Sequence, residues 1–364
     1  MRLIAAACGC VDGEWERSVG KVTMRDIAQV MGVSVMTVSN AFNRPDQLSA
    51  ELRGRILARA AKMGYTGPNA VARQLREGRT RVFGVVVTQG VERVFEDPYQ
   101  VILLGGLAAE LEAAGANILL VGTGHDDVDP MMRVGVDGFV GMCTTHPMAA
   151  AASRRGLPLV TTDPMDGVDG WVSIDDRQAG LAIADHVRRL GHRRVTVVVE
   201  QTVPEHPCMV VQQPDHLLDL LQVLQADGIY DVWPRTLGVL EGLEGLDVDV
   251  VCSAGSSCRA GREAAAVVMD RQDRPTAVVA LSDALALGVL DALRERGVVP
   301  GRDVSVTGFD DLPDAAAGLT TIRQPIRDKG RLLGQLLLGQ TGGERHIVLD
   351  HELVVRSSTG PAPR

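Results

Sequence analysis

Between residues 82 and 308 the chain repeats a single pattern, a short run rich in Val, Leu, Ile and Ala followed by a stretch whose apolar residues recur at helical spacing. The runs at 82–87, 117–121, 138–140 and 157–160 form one series, and those at 193–199, 248–252, 277–281 and 304–308 a second; a helix is predicted over 100–114. A run without polar alternation belongs to a strand covered on both faces. Strands that alternate with helices pair in parallel, because each crossover lays a helix over the sheet. Two series therefore predict an α/β body of two lobes with parallel sheets. The composition agrees: hydrophobic residues make up 45% of the chain and aromatics only 3%, so aliphatic side chains must fill the core. With 364 residues there is room for two or three domains.

Charge divides the chain unevenly. The net charge is −9, yet residues 21–81 carry eleven Lys and Arg against four Asp and Glu, a net of +7 that leaves −16 for the remainder. A basic head on an acidic body is expected when the head alone neutralises phosphates. A solvated helical surface would give the same count, so the pattern within the head decides. Thr23 is placed to cap a helix ending at Met31, with Asp26 in the first turn and Ile27, Ala28 and Met31 on one face. Gly32-Val33-Ser34 supplies a turn, in which Gly32 can turn left-handed and Ser34 can cap a second helix running to Asn43. Ser49 caps a third helix reaching Met63, with Leu52, Ile56, Leu57 and Ala60 in a stripe and Gly64 as its stop.

Two short helices joined by a Gly-containing turn form a helix-turn-helix, so the head is predicted to be all-α, and its second helix can enter the major groove of double-stranded DNA. Val38 and Ala41 then face the core. Val35, Met36 and Asn40 project toward base edges, while Thr37, Ser39 and Asn43 suit phosphate oxygens, and Thr23 at the start of the first helix is also expected to contact the DNA. An outward Val35-Met36 pair is out of place on a solvated surface and can contact thymine methyl groups.

Other chemistries find little support. Cys8, Cys10, Cys143, Cys208, Cys252 and Cys258 lack paired spacing, so neither a disulfide framework nor a metal site is expected. No nucleophile elbow, HExxH or P-loop occurs, and neighbouring carboxylates at Asp175-Asp176 and Asp310-Asp311 tend to point apart; neither an enzyme nor a cofactor is expected. No apolar stretch is long enough for a membrane span, and residues 1–21 have too short an apolar region for export. They read as a disordered tail or a start placed too early, and the chain as cytoplasmic.

The segments Val22-Thr-Met-Arg-Asp-Ile-Ala, Gly32-Val-Ser-Val-Met-Thr-Val-Ser-Asn and Gly64-Tyr-Thr-Gly-Pro-Asn-Ala-Val-Ala-Arg-Gln-Leu closely resemble the lactose-repressor (LacI/GalR) family. The resemblance continues through Gly191-His-Arg-Arg-Val, Leu281-Ser-Asp-Ala-Leu-Ala-Leu-Gly, Asp303-Val-Ser-Val-Thr-Gly-Phe-Asp-Asp and Leu319-Thr-Thr-Ile-Arg-Gln-Pro. It implies a transcriptional regulator, a repressor that binds a pseudo-palindromic operator as a homodimer on nucleoid DNA. It also implies a hinge helix spanning Asn69, Ala72, Arg73 and Leu75, with Leu75 wedged into the minor groove. The body is then similar to a periplasmic sugar-binding protein, with crossovers near Val172, Val299 and Gln324 and a cleft for a small polar metabolite such as a sugar.

On this resemblance Asp283 binds effector hydroxyls; read by itself it is a helix cap. Phe95, Tyr99 and Trp233 are stacking surfaces in the cleft, or core residues. One departure stands out: the family's Arg-x-x-Gly-Tyr/Phe pattern after the strand ending at Val199 is replaced by Asp215-His216-Leu-Leu-Asp219-Leu220, so His216 stands roughly where an effector-gripping arginine is expected. That leaves open a regulator that has lost its effector. A solute-binding protein fits the body alone, and the basic head argues against it. The expected divisions are 1–21, tail; 22–66, DNA-binding head; 67–80, hinge; 81–172 with 300–323, first lobe; 173–299 with 324–356, second lobe; and 357–364, tail.

Overall fold

The computed structural model describes residues 22–67, 78–88, 90–123, 127–200, 209–211, 232–253 and 255–363. It divides into two units, one ending at Thr80 and one beginning at Arg81. Among the described residues no helix is long and apolar enough to cross a membrane.

The head has three helices, α1 (Met24–Met31), α2 (Val35–Asn43) and α3 (Ala50–Lys62), with a 3-10 turn at Pro45–Gln47. Their starts follow from local hydrogen bonding. The Thr23 hydroxyl accepts from the Asp26 amide at 3.4 Å while the Asp26 carboxylate accepts from the Thr23 amide at 2.8 Å, a reciprocal cap. Ser34 accepts from the Thr37 amide at 3.0 Å and Ser49 from the Leu52 amide at 3.3 Å. Gly32 closes α1 at φ +64°, a conformation a side chain disfavours. Ile27, Ala28, Val38, Ala41, Ile56 and Ala60 are the buried core shared by the three helices, with Leu52 packed at its edge and Leu57 only half-buried.

The body contains thirteen described strands. Those of the first sheet are β1 (Val82–Val87), β2 (Asn117–Gly122), β3 (Phe139–Met142), β4 (Leu159–Thr161), β5 (Gly170–Ile174) and β12 (His346–Leu349), in the order β12-β5-β4-β3-β1-β2 and parallel throughout. The second sheet has the order β10-β9-β6-β8-β7, built from β6 (Arg194–Glu200), β7 (Met209–Val211), β8 (Asp247–Ser253), β9 (Ala277–Ala280) and β10 (Ser305–Thr307); only β7 runs antiparallel. A separate ribbon pairs β11 (Thr321–Arg323) with β13 (Glu352–Val354).

This topology corrects the expected lobe boundaries. Residues 300–323 belong to the second lobe, because β10 hydrogen-bonds beside β9. Conversely, the helix Ile326–Leu338 packs on the helix Pro98–Ala113 and β12 pairs with β5, so this segment belongs to the first lobe. The chain thus changes lobe after Ile174, after Arg323 and after Leu349; Val299 is no crossover and lies within the second lobe. Residues 357–363 are no loose tail either. Ser358 is buried, its carbonyl accepts from the Val306 amide at 2.8 Å, and the Ala362 amide donates to Leu190 at 2.9 Å. Buried His192 bonds the Thr276 and Ser305 hydroxyls and the Gly360 carbonyl beneath this strap.

Helices pack on the sheets in closely approaching pairs. Asp176–Arg189 lies on Val232–Gly242, and Cys258–Met269 lies on Asp283–Glu295, on opposite faces of the second sheet. A Cβ added to Gly238 would drive into the Arg177 carbonyl, and one on Gly180 into the Arg235 carbonyl, so glycine is needed where these backbones touch.

Candidate functional site

On the head, α2 buries Val38 and Ala41 and turns Val35 and Met36 outward, 44% and 68% exposed. Thr37, Ser39 and Asn40 are half-buried and Asn43 is exposed along the same helix. Some of their groups are already engaged: the Asn43 amide donates to the Ser39 carbonyl at 3.1 Å, the Asn40 amide to Gln47 Oε1 at 3.2 Å, and the Thr37 hydroxyl lies 2.8 Å from that of Ser34. Thr23 stands at the start of α1 with its hydroxyl committed to the cap. Asn69, Ala72, Arg73 and Leu75 lie outside the described residues.

In the body, the C-terminal ends of the parallel strands meet across a cleft that opens to solvent. This is where an open α/β sheet offers loops and helix N-termini to a ligand. The first lobe contributes Asp97, Tyr99 and Gln100 at the start of Pro98–Ala113, Met142 and Cys143 after β3, Thr162 and Asp163 after β4, and Lys329. The second contributes Glu200 at the end of β6, Arg235, Ser256 after β8, Leu281 and Ser282 after β9, and Asp310 after β10.

Arg235 organises the second-lobe wall. Its Nε and Nη2 donate to one oxygen of buried Asp176 at 2.9 and 2.7 Å, and its Nη1 donates to the Leu281 carbonyl at 2.7 Å. The guanidinium also lies 3.5 Å above the Phe309 ring centre. These contacts fix the plane of a group that can fork onto neighbouring ligand oxygens. Beside it, Asp310 is held at φ +123°, its amide donating to Ile322 at 2.8 Å and its carboxyl accepting from Gln324 Nε2 at 2.7 Å. Burial pushes this carboxyl well above the ordinary carboxylate range, against the pull of Arg235.

Several sequence expectations change. Asp283 is wholly buried and does not line the cleft; it accepts from the Leu312 amide at 2.7 Å and the Thr321 hydroxyl at 2.6 Å, tying down the segment between β10 and β11. Nor is it the helix cap, because Ser282 accepts from the Leu285 amide and also faces the cleft. Burial raises the Asp283 pKa to about 6, although both hydrogen bonds oppose the rise. Phe95 is 66% exposed and does not line the cleft. Tyr99 does line it, and burial raises its phenol pKa. His216 lies outside the described residues, and of Trp233 only the helical backbone is described.

Arg235 and Asp310 were missed from sequence for different reasons. The Arg-x-x-Gly part of the pattern occurs at Arg235-Thr236-Leu237-Gly238, with Val239 in place of the aromatic residue, downstream of the long stretch between β6 and its helix. Asp310-Asp311 was set aside as a divergent pair. The two do diverge, Asp311 pairing with Arg323 and Arg356 at 2.7 Å, and that divergence leaves Asp310 facing the cleft.

The model of the lacI family of bacterial regulatory proteins matches residues 23–69, and that of the periplasmic binding protein-like domain matches residues 184–359. An HTH-type transcriptional regulator of Mycolicibacterium smegmatis is 36% identical over 358 residues, covering 94% of this chain and 97% of the relative. A crystal structure of a LacI-family regulator from Corynebacterium glutamicum superposes with a TM-score of 0.67 at 27% identity, over 95% of this chain and all of that one. The lac repressor dimer bound to operator and the anti-inducer ONPF has the same fold, with a TM-score of 0.71 at 22% identity over 94% of this chain and all of that one. With a helix-turn-helix head, a two-lobed body and relatives aligned end to end, this chain belongs to the lacI family of bacterial regulatory proteins.

Proposed function

We propose that the chain is a transcriptional repressor acting in the cytoplasm, whose homodimer sets two heads on a pseudo-palindromic operator in double-stranded DNA. A small polar metabolite held between the lobes alters that binding. The observation that carries the reading is α2: an exposed Val35-Met36 pair on a helix whose opposite face is the core of the head. Apolar side chains on the N-terminal half of such a helix suit thymine methyl groups, while Thr37, Ser39, Asn40 and Asn43 offer polar groups to base edges and phosphates.

The body supports effector control rather than chemistry. Its cleft presents hydroxyl, amide, carboxyl and guanidinium groups from both lobes. A ligand that joins the two walls favours one lobe arrangement and so couples to the DNA-bound state. Arg235, Asp310 and Ser282 are the proposed second-lobe contacts, facing Tyr99, Gln100 and Asp163. Residues 67–80 are the proposed hinge between head and body, with Leu75 at the minor groove.

Footprinting of the full chain on the DNA upstream of its own gene, across a salt series with random DNA as competitor, tests the reading. A protected palindrome whose affinity falls steeply with salt is expected. Equal affinity for operator and random DNA would remove it.

A further inference from the structure

The 3-10 turn after α2 folds back along the flank of that helix. Arg44 closes α2, its amide donating to the Asn40 carbonyl at 2.9 Å; Pro45 opens the turn, and the Gln47 amide donates to the Arg44 carbonyl at 3.1 Å. Leu48 then packs on the core of the head. With both ends of the turn held, exposed Gln47 stands beside Asn40, and Gln47 Oε1 accepts from Asn40 Nδ2 at 3.2 Å. The other asparagine at the end of this helix is engaged differently: the Asn43 amide donates to the Ser39 carbonyl and hydroxyl, at 3.1 and 3.3 Å, within its own turn. Asn40 is held from a separate element.

That contact sets which way the amide faces. A carboxamide has an acceptor on one side and a donor on the other, and the two settings of its plane present opposite patterns. With one N–H spent on Gln47, the Asn40 Oδ1 and the second N–H remain as an acceptor and a donor side by side. They sit on the helix that exposes Met36 one turn earlier. In the major groove adenine presents the complementary pair, an N6–H donor and the N7 acceptor, whereas guanine presents two acceptors and cytosine one donor. An asparagine free to turn over loses entropy when a base selects one setting; an asparagine already held by Gln47 does not.

We propose that Gln47 is a positioning residue for base readout: it fixes the Asn40 amide so that Asn40 reads an adenine in each operator half-site. The inference rests on the DNA-binding reading of α2. Selection by the full-length protein from a randomised duplex library tests it, each enriched position then being scored by single-base substitution in competition assays at one salt concentration. The position whose preference vanishes in Asn40→Ala is expected to be adenine, favoured by roughly fivefold to a hundredfold over the other bases. Gln47→Ala should lower that preference by roughly threefold to tenfold, the factor for one hydrogen bond, with the melting temperature and the preferences at other positions unchanged. Gln47→Glu, which can only accept, should retain the adenine preference while weakening binding to every duplex. Gln47→Lys, which can only donate, should turn the amide over and shift the preference toward guanine. A merely structural Gln47 would lower the melting temperature of its alanine variant and leave base preferences alone, and that result overturns the proposal. Guanine at the Asn40-dependent position of the wild type overturns it as well. A wild type that enriches no sequence sinks the parent reading and this inference with it, whereas an enriched palindrome insensitive to Asn40 and Gln47 sinks only this inference.

Discussion

The head and the body break the same folding rule in opposite directions. In the head, apolar side chains that belong inside are outside: Val35 and Met36 are exposed on α2 while the core beneath them has only six fully buried residues. In the body, polar groups that belong outside are inside: Asp176, Asp283, Asp310 and Lys329 are all buried near the lobe crossovers. Exposed apolar groups mark a surface that meets a partner, and buried charges mark a site that meets a ligand or holds a hinge. The contrast suggests that substitutions in the body should register mainly as stability and ligand response, and those on the outer face of α2 mainly as DNA affinity.

The largest expected effect is at Arg235. Arg235→Met leaves Asp176 buried without its partner, and chemical denaturation should report a loss of about 3–5 kcal/mol from the body. A loss below 1 kcal/mol would show that this pair is solvated and that the wall is not organised by it. Ile56→Ala, in the small core of the head, should cost about 2–5 kcal/mol. Circular dichroism melting of the full chain should show the loss as an earlier, separate transition of the head. Gly238→Ala forces a methyl group against the Arg177 carbonyl and is expected to cost about 1–3 kcal/mol; an unchanged melting temperature would show that the helices slide apart freely.

The smallest effect is a pH dependence. Burial holds the Asp283 carboxyl near pKa 6, above its ordinary 3.8, so the folded state binds this proton more tightly than the unfolded state. Its contribution to stability is therefore fully present below about pH 4 and is lost as pH rises through about 6. His186 and His192 act oppositely, since burial lowers both and acidification below the ordinary histidine range destabilises the fold. Urea unfolding of wild type and Asp283→Asn at pH 7 and pH 5 isolates the carboxyl. Wild type should gain on the variant at the lower pH, and a constant difference would place the Asp283 proton elsewhere.

Much of this was legible in the sequence because it rests on local rules. The caps at Thr23, Ser34 and Ser49, the left-handed Gly32 and the parallel strands all follow from short-range spacing and hydrogen bonding. What was not legible depends on long-range pairing. The series of apolar runs set 304–308 beside 277–281, where β10 pairs, although the lobe boundaries drawn for 300–323 said otherwise; nothing local to residues 346–349 says which sheet that strand joins, and it joins the lobe opposite to the one expected. The cleft suffered the same limit. Asp283 and Asp310 are both acidic residues just after second-lobe strands, and only the fold tells that the first points into the protein and the second into the cavity. Arg235 was hidden by its spacing from β6 and by Val239, which stands where the pattern has an aromatic residue.

The central claim is that the outer face of α2 reads DNA sequence. Its most direct test is the affinity of full-length wild type and of Val35→Ala/Met36→Ala for operator and for random DNA, measured side by side at two salt concentrations. The account predicts that the double variant melts within about 0.5 kcal/mol of wild type. It should keep salt-sensitive binding to random DNA and lose about 1–3 kcal/mol of discrimination for each base contact removed. Unchanged discrimination between operator and random DNA would contradict it.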